Sequence, residues 1–421
     1  WDDEKHRSGG PGFLKLAPVQ EKILCACLTL REDDTFPYET VLYSTIKKSG
    51  KALSLDTPIP VPSGWKLMGD LSIGDSVFDE SGRVCNVVYT TDVMYNHDCY
   101  RLTFSDGSTI VADADHQWYV GARRKVSSTL SVGDGGMFWG VMTTRQMVNS
   151  PWISDKCNMS MFQIQNTSAL ELPEVDLPIP PYVLGVWLGD GTSRTNHITV
   201  GHGDEEILSH LGVEYEKVPD SFNKKLGVWR APEYKIVLGE YRSSKNSFSA
   251  RARELGILGD KGIPLIYLRS SVEQRMELLR GLMDTDGYIS SDKGRCEYTS
   301  VSWKLISGVA ELLRSLGVKC RISEKNTSIG GRYIGTAYRI HFQLYNDKVW
   351  FHLQRKQARL RSKPSCKLRP QFIHITKIEK VDSVPVRCIQ VDSKSHLYLA
   401  GTSMIPTHNT VIAAAVATWF A

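Results

Sequence analysis

Hydrophobic and polar positions change rhythm several times along the chain. Before residue 51 the pattern is mixed. Residues 18–26 space their apolar side chains as a helix would, and residues 39–45 form an apolar run that suits a buried strand. From Ala52 the rhythm shortens to period two, in brief runs broken by turns such as Asp79-Glu80-Ser81-Gly82 and Ser105-Asp106-Gly107. Such spacing predicts a succession of short strands. The alternation returns at residues 386–391, around Cys388, and in a second run at 396–401. Between these β-like regions the period lengthens to that of a helix. Pro180-Pro181 opens one helix running to Asp190, since proline is favoured in a helix's first turn. Ser270-Ser271-Val272-Glu273 offers a capping box for a second, which runs on to Asp286. Strand-like polar segments at 197–200 and 295–300 follow the two helices, and residues 410–420 read as a final apolar helix.

The two central helices repeat one design. Gly185 and Gly189 are four apart, as are Gly281 and Thr285, so each helix carries a small-residue face that lets two helices approach closely. Each ends in Asp-Gly, at Asp190-Gly191 and Asp286-Gly287, with the glycine suited to a left-handed cap. A carboxylate at a helix C-terminus is unfavourable by about 0.3–1 kcal/mol, and two brought together repel further unless cations lie between them. That cost points to Asp190 and Asp286 as oxygen ligands for Mg²⁺.

Composition narrows the field. A chain of 421 residues with 41% hydrophobic content accommodates two or three domains with real cores. No apolar run approaches transmembrane length, so no membrane partner is expected. Trp1-Asp2-Asp3-Glu4 does not begin a signal peptide, and a start without Met reads as a fragment. The formal charge of +5 is compatible with nucleic acid. Nine cysteines contain no C-x-x-C pair, so neither a zinc ribbon nor a disulfide framework is expected. Free thiols fit a reducing cytoplasm, where one can serve as a nucleophile.

The most distinctive chemistry lies at the far end, in His408-Asn409-Thr410. The amide nitrogen of Asn409 can attack its own main-chain carbonyl and close a five-membered imide. His408 can polarise that carbonyl and protonate the departing amine, and the hydroxyl of Thr410 can carry an acyl group. This stretch resembles the C-terminal end of an intein, a self-splicing insert. The region from Ala52 resembles the first half of the all-β, horseshoe-shaped Hint splicing fold, on Asp56-Thr57-Pro58 and the Leu-x-x-Gly-Asp of residues 71–75. The resemblance makes His116 the residue that activates the upstream scissile peptide, with Asp113 standing where the family commonly has Thr. Most inteins begin with Cys or Ser, and Ala52 cannot attack. Either an engineered replacement has trapped a class 1 intein, or the chain is similar to the class 3 inteins, marked by separated Trp, Cys and Thr. Trp118, Cys388 and Thr410 match all three. In that class the Cys attacks the upstream carbonyl directly, passes the acyl group to the Thr, and the Asn then cyclises, with no cofactor. Core packing for Trp118 and an inert buried thiol for Cys388 are the plain alternatives.

The central repeat resembles the LAGLIDADG homing endonucleases, the second copy closely and the first more loosely, with Trp187 and Leu188 in place of smaller or acidic residues. The resemblance implies Mg²⁺-dependent, site-specific cutting of double-stranded DNA, with Asp190 and Asp286 as metal ligands. Lys261 matches a basic position often near that family's active site, a plain surface lysine being the alternative, and Asp284 is expected to face solvent. Strands bearing Arg, Lys, Ser and Thr can lie in the major groove. A basic stretch from Arg355 to Arg369 is either a solvated linker or a phosphate contact.

Removing residues 52–409 joins Lys47-Lys48-Ser49-Gly50-Lys51 to Thr410 as a phosphate loop, with Thr45 where the first glycine of the pattern belongs. In the joined product Gly50, Lys51 and Thr410 would hold ATP phosphates and Mg²⁺. The basic residues before Gly-Lys make the flanks similar to the ATPase of phage terminase large subunits. The expected architecture is therefore a multidomain α+β chain. A terminase fragment (1–51) precedes the first Hint half (52–170), an α/β endonuclease (171–350), a basic linker (351–370), the second Hint half (371–409) and the remaining P-loop α/β flank (410–421). The expected partner is the uninterrupted terminase allele, met by a monomeric insert in the cytoplasm of an infected bacterium, while the host terminase would bind phage DNA and packaging partners. Rival readings are a processing domain that cleaves without ligation, an already functional ATPase, and a splicing insert whose nuclease has decayed.

Overall fold

The computed structural model describes residues 40–46, 51–133, 137–150, 153–154, 159–160, 162–223, 228–239, 246–291, 294–329, 332–362, 372–409 and 412–418. Sheet predominates over helix. The chain divides into two units, residues 1–48 with 411–421, and residues 49–410. In the first, the described residues are two antiparallel strands, Thr40–Ile46 and Ile412–Thr418, in register from Thr40↔Thr418 to Ile46↔Ile412. The helix expected over 410–420 is thus a strand across 412–418. A lone strand at 40–46 exposes a row of backbone donors and acceptors, and the second run satisfies them by pairing. The helix expected at 18–26 lies outside the described residues.

In the larger unit, residues from both ends build one β region. Its nine-stranded sheet runs Ser131–Val132, Phe138–Thr143, Gln117–Ala122, Phe162–Gln165, Phe372–Val381, Cys99–Phe104, Thr109–Asp113, Leu53–Ser54, Val386–Arg387. A late strand, 372–381, is therefore inserted between two early ones, and Val386–Arg387 closes the row against Leu53–Ser54. The core interleaves the same way, with Leu53, Phe104, Trp118 and Phe162 packed among Ile373, Ile389, Val391 and Tyr398. The alternation around Cys388 predicts one strand. Instead Val386–Arg387 and Ile389–Val391 join different sheets, and Cys388 sits at the bend between them.

The intervening residues form an α/β region with its own core. Helices Pro181–Asp190 and Val272–Asp284 pack face to face on their small residues. A Cβ on Gly185 would lie 2.4 Å from the Leu278 carbonyl oxygen, and one on Gly281 2.3 Å from that of Tyr182. The capping box falls one residue later than expected, on Ser271 and Gln274, because the buried Ser270 hydroxyl donates to the Tyr267 carbonyl instead. The first helix is followed by the sheet His197–Thr199, Glu233–Val237, Glu214–Lys217. The second is followed by Gly287–Ile289, Arg295–Ser300, Arg332–Gln343, Cys320–Ile329. The stretch expected as a basic linker at 351–370 is not one over its described part. Phe351, Leu353 and Leu360 belong to the α/β core, and Lys356 is buried. Apolar residues interleaved with the charges anchor it, which a count of basic residues hides. Among the described residues no helix is long and apolar enough to cross a membrane.

Candidate functional sites

Strand register assembles the first site. Leu53 pairs with both Ala112 and Arg387, and Cys99 pairs with Asp113. Continued by one residue, the register lines up Cys99, Asp113, Ala52 and Cys388 in one row, and residues of one row share a face of the sheet. Ala52, Cys99 and Cys388 accordingly pack in one small buried cluster, and the Asp113 N–H donates to the Ala52 carbonyl at 2.9 Å. The thiol expected to attack thus belongs to the residue opposite Ala52, directly past the Lys51–Ala52 bond. Thr91 clamps Cys388 at the bend, its hydroxyl accepting the Cys388 N–H at 3.1 Å and its own N–H donating to the Cys388 carbonyl at 3.1 Å.

His116 reaches the same bond at its carbonyl oxygen. Its Nδ1 lies 2.6 Å from the Lys51 carbonyl oxygen and its Nε2 2.5 Å from the Thr407 hydroxyl, and His116 and Thr407 are fully buried. Burial pulls the imidazole down to about 3, so it is neutral and carries a single N–H. A carbonyl only accepts, so Nδ1 bears the hydrogen and Nε2 accepts from Thr407. Trp118 is both core and positioning. It meets the His116 ring edge-on at 4.8 Å, and its indole N–H donates to the Thr144 hydroxyl at 3.0 Å. Asp113, standing where the family commonly has Thr, accepts the Asp115 N–H at 2.7 Å. Its carboxylate pairs with His97 Nδ1 at 2.5 Å, and burial raises its pKa. Nothing in the sequence singled out Thr91, Thr144 or Thr407, because a strand threonine carries no motif of its own.

At the downstream end, His408 Nδ1 lies 2.8 Å from the Asn409 carbonyl oxygen. Burial lowers its pKa, so a neutral N–H faces the second carbonyl as it does the first. Asn409 is buried. Its main-chain N–H donates to the His396 carbonyl at 2.8 Å and its side-chain Nδ2 to the Val391 carbonyl at 3.1 Å, while Oδ1 has no hydrogen-bond partner among the described residues. Gly50 and Thr410 lie outside the described residues, so of the expected phosphate-loop set only Lys51 is placed.

A second site lies where the two central helices end. Burial, then the neighbouring Asp286, raises Asp190 to about 6. Asp286 is also raised by its crowded surroundings, although its edge is open to solvent. Lys261 is no plain surface residue. Its ammonium donates to the carbonyls of Leu188, Gly189 and Gly191 at 3.1, 3.2 and 2.6 Å, closing the first helix. Lys356 closes the second in the same way, on Met283, Asp284, Thr285 and Gly287 at 2.7, 2.7, 3.1 and 2.8 Å. Burial lowers each to about 8, while nearby carboxylates, Asp286 and Asp190 at Lys261 and Asp284 first at Lys356, favour the charged form. The sequence hid this counterpart of Lys261 in the supposed linker.

Two expectations at this site are corrected. Asp284 is not solvent-facing but buried, accepting from the Tyr182 hydroxyl at 3.0 Å and from the N–H groups of His352 and Leu353 at 3.1 and 3.3 Å. The segment that returns to cover the helix removes it from water. Gly191 is extended (φ −80°, ψ 152°) rather than left-handed, and Gly287 has no positive φ. Close approach is the reason for glycine there. A Cβ would stand 2.3 Å from the Trp187 oxygen at one and 2.4 Å from the Met283 oxygen at the other. Among the described residues no group of three or more His, Cys, Asp and Glu is gathered as for a metal ion. Two carboxylates leave room for water and phosphate oxygens, as Mg²⁺ prefers, and a divalent cation would offset the burial that raises both and the repulsion that adds to it at Asp190. The donor set fits that ion.

The sheet behind the second helix turns a polar face outward. Arg295, Glu297 and Thr299 alternate with buried Cys296 and Tyr298, and register places Gln343, His341 and Arg339 beside them, then Arg321 and Ser323. On the first sheet Lys235 pairs with His197 and Glu216, and Glu233 with Thr199.

Residues 273–347 match a LAGLIDADG-like domain. A curated relative named replicative DNA helicase DnaB, from Mycobacterium intracellulare, is 36% identical over 374 residues, or 86% of this chain and 59% of the relative. A protein of the same name from Mycobacterium leprae (strain TN) is 41% identical over 97 residues, 23% of this chain and 16% of the relative. The chain thus spans less than two thirds of the length of these relatives, and neither bears the terminase name expected from the flanks. Partly overlapping solved structures include the Msm DnaB1 intein splicing domain bound with zinc (18% identity, 85% of this chain and 100% of that one, TM-score 0.27). Another is I-DmoI in complex with DNA and Ca (14% identity, 43% and 95%, TM-score 0.27).

Proposed function

We propose that residues 52–409 are a self-splicing intein of the class 3 kind whose α/β region is a homing endonuclease. One observation carries the splicing reading: each bond to be broken has a neutral imidazole N–H on its carbonyl, and Cys388 faces the residue after the first. In the first step the Cys388 thiol gives up its proton and the sulfur attacks the Lys51 carbonyl carbon. His116 donates to the oxygen as charge builds there. The bond to the Ala52 nitrogen breaks, that nitrogen leaves as an amine with a proton, and a thioester remains on Cys388. The Thr410 hydroxyl then displaces the thiol to give an ester. Asn409 Nδ2 attacks its own carbonyl carbon, releasing the Thr410 amine and closing an imide. The freed amine takes the acyl group from its neighbouring oxygen as a peptide bond. Held geometry replaces a bimolecular encounter by an effective molarity of up to roughly 10⁵–10⁸ M.

In the α/β region Asp190 and Asp286 would hold Mg²⁺, whose chemistry is to stabilise charge on phosphodiester oxygens. Lys261 and Lys356 fix the helix ends that carry the two carboxylates. The second sheet's outward Arg295, Arg321, Ser323, Arg339 and His341 suit a DNA groove. Glu216 and Glu233 on the first sheet suit it less well, which favours asymmetric contact or, as a second reading, a nuclease that has lost part of its grip.

The names of the relatives favour a replicative helicase over a terminase as the interrupted host. Either would use the rejoined Lys48-Ser49-Gly50-Lys51-Thr410 as a loop for ATP and Mg²⁺ only after splicing. Expressing the full chain and its Cys388→Ala variant and weighing the products tests the splicing reading. The parent should yield ligated flanks and a 358-residue insert spanning residues 52–409, and the variant should keep Lys51–Ala52 intact. An inert parent that splices once Ala52→Cys is introduced would favour a trapped class 1 intein instead.

A further inference from the structure

We propose that Tyr298 is a positioning residue of the nuclease site. From the core side its hydroxyl donates to a bridging water, which steadies the carboxylates of Asp190 and Asp286 for their ion. The inference rests on the nuclease reading. Its basis is an orphaned donor. Tyr298 is fully buried, and its hydroxyl has no hydrogen-bond partner among the described residues. A buried hydroxyl left in that state costs about 1–3 kcal/mol, and folded proteins keep few of them. Register gives the place. Tyr298 pairs with Gly287, the residue after Asp286, and Ile340 flanks it on the other strand. It shares the inner face of its own strand with Cys296, while Arg295 and Thr299 turn outward. The phenol therefore lies behind the face offered to DNA. Burial, and then the charges of Asp286 and Asp190, push its pKa well up, so the oxygen keeps its hydrogen and serves as a donor. The neighbouring cations do not fill that role. Lys261 and Lys356 give their hydrogens to main-chain carbonyls, and an ammonium has only three to give. Tyr298 is not in hydrogen-bond contact with either carboxylate. A buried water, which takes two to four polar partners, carries the link.

The test uses the full chain in a Cys388→Ala, Asn409→Ala background, so that every variant stays one species. Tyr298→Phe keeps the ring and removes the hydroxyl. Melting temperature is followed against Mg²⁺ without DNA, and cutting of the rejoined host DNA against Mg²⁺ and DNA in turn. The apparent affinity for Mg²⁺ should fall about ten- to a hundredfold, the usual cost of losing a group that orients a metal ligand. The Mg²⁺ needed for half-maximal cutting should rise in step. KM for DNA should stay as in the parent, and the melting temperature without Mg²⁺ within about two degrees of it. A Phe variant that binds Mg²⁺ as the parent does overturns the inference, and a higher melting temperature in it would mark the hydroxyl as an orphan of packing. Weaker Mg²⁺ binding together with a melting temperature several degrees lower also overturns it, as a loss of fold. Asp190→Asn tests the reading beneath: it should remove most of the parent's response to Mg²⁺. A response that survives that change places no ion at the carboxylates, and the nuclease reading falls with the inference.

Discussion

Substituting Gly281→Ala tests whether the helix contact sets the carboxylate pair. The added Cβ would meet the Tyr182 oxygen at 2.3 Å, the Val186 nitrogen at 2.7 Å and the Gly185 carbonyl carbon at 3.0 Å. All three are backbone atoms, so no side chain can swing aside. Real Cβ atoms do not come within 3.0 Å, and the helices must therefore part by at least about 0.7 Å. Overpacking of this kind costs about 1–3 kcal/mol, and better helix propensity returns about 1 kcal/mol. The net loss of roughly 0–2 kcal/mol is too small to unfold a domain stable by about 5–15 kcal/mol. Catalysis is less forgiving, since a displacement near 1 Å can cost about a hundredfold. DNA cleavage should fall by about that factor, the melting temperature by a few degrees, and splicing should be unaffected. Gly201→Ala, where nothing lies within 4 Å, is the neutral control. Parental cleavage and melting in the Gly281 variant would refute the argument from contact. Loss of splicing along with cleavage would mean that the unit collapses as a whole.

Asp190→Asn or Asp286→Asn, or chelation of Mg²⁺, should abolish double-strand cutting of DNA encoding the rejoined host run while splicing continues. Equal cutting of the interrupted allele would sink the homing assignment. The pH dependence of stability follows from His116, which burial holds near 3 against an ordinary value of about 6.5. The unfolded chain binds that proton more readily between those values, so stability is lost as pH falls through the window. Relative to His116→Gln, both in a Cys388→Ala background, the chain should lose about 2 kcal/mol between pH 6.5 and 5. Denaturant unfolding at the two pH values measures it, and a constant gap between the two proteins would show that His116 is not buried as described.

Motifs survive in a sequence where chemistry demands a particular side chain, and these were the legible part. His116, Trp118, Cys388, His408 and Asn409 stood out by residue type and spacing, and the structure sets His116 against Trp118 and packs Cys388 with Ala52. The paired small-residue helices were readable too, because period and glycine spacing are local properties. What stayed hidden depends on contacts between distant segments. Thr407 and Thr91 matter through what they face across the sheet, and no local pattern records that. Lys356 looked like one cation in a basic run, and only the fold turns it onto four carbonyls of a helix end. The flank beyond Thr410 was misread because apolar periodicity over a short run does not separate helix from strand when an open edge is available.

The two sites are chemically independent, yet the regions that carry them are not. Arg269, buried in the α/β region, donates to the carbonyls of Val61 at 3.1 Å and Gly64 at 2.8 Å in a β-region hairpin, and pairs with Glu311 at 2.8 Å. Arg275, also buried, donates to Ser315 at 2.6 Å and to the Leu170 carbonyl. A buried guanidinium satisfied by backbone carbonyls leaves orphans on both sides when it is removed, which costs far more than losing a surface ion pair. Substitution at Asp190 or Asp286 leaves no such orphan in the splicing core. Drift can therefore erase DNA cutting without touching splicing, while loss of the α/β fold itself would strip partners from the β region. On the proposed reading, an α/β region fastened in this way is held in place by its contacts with the β region whether or not it cuts DNA.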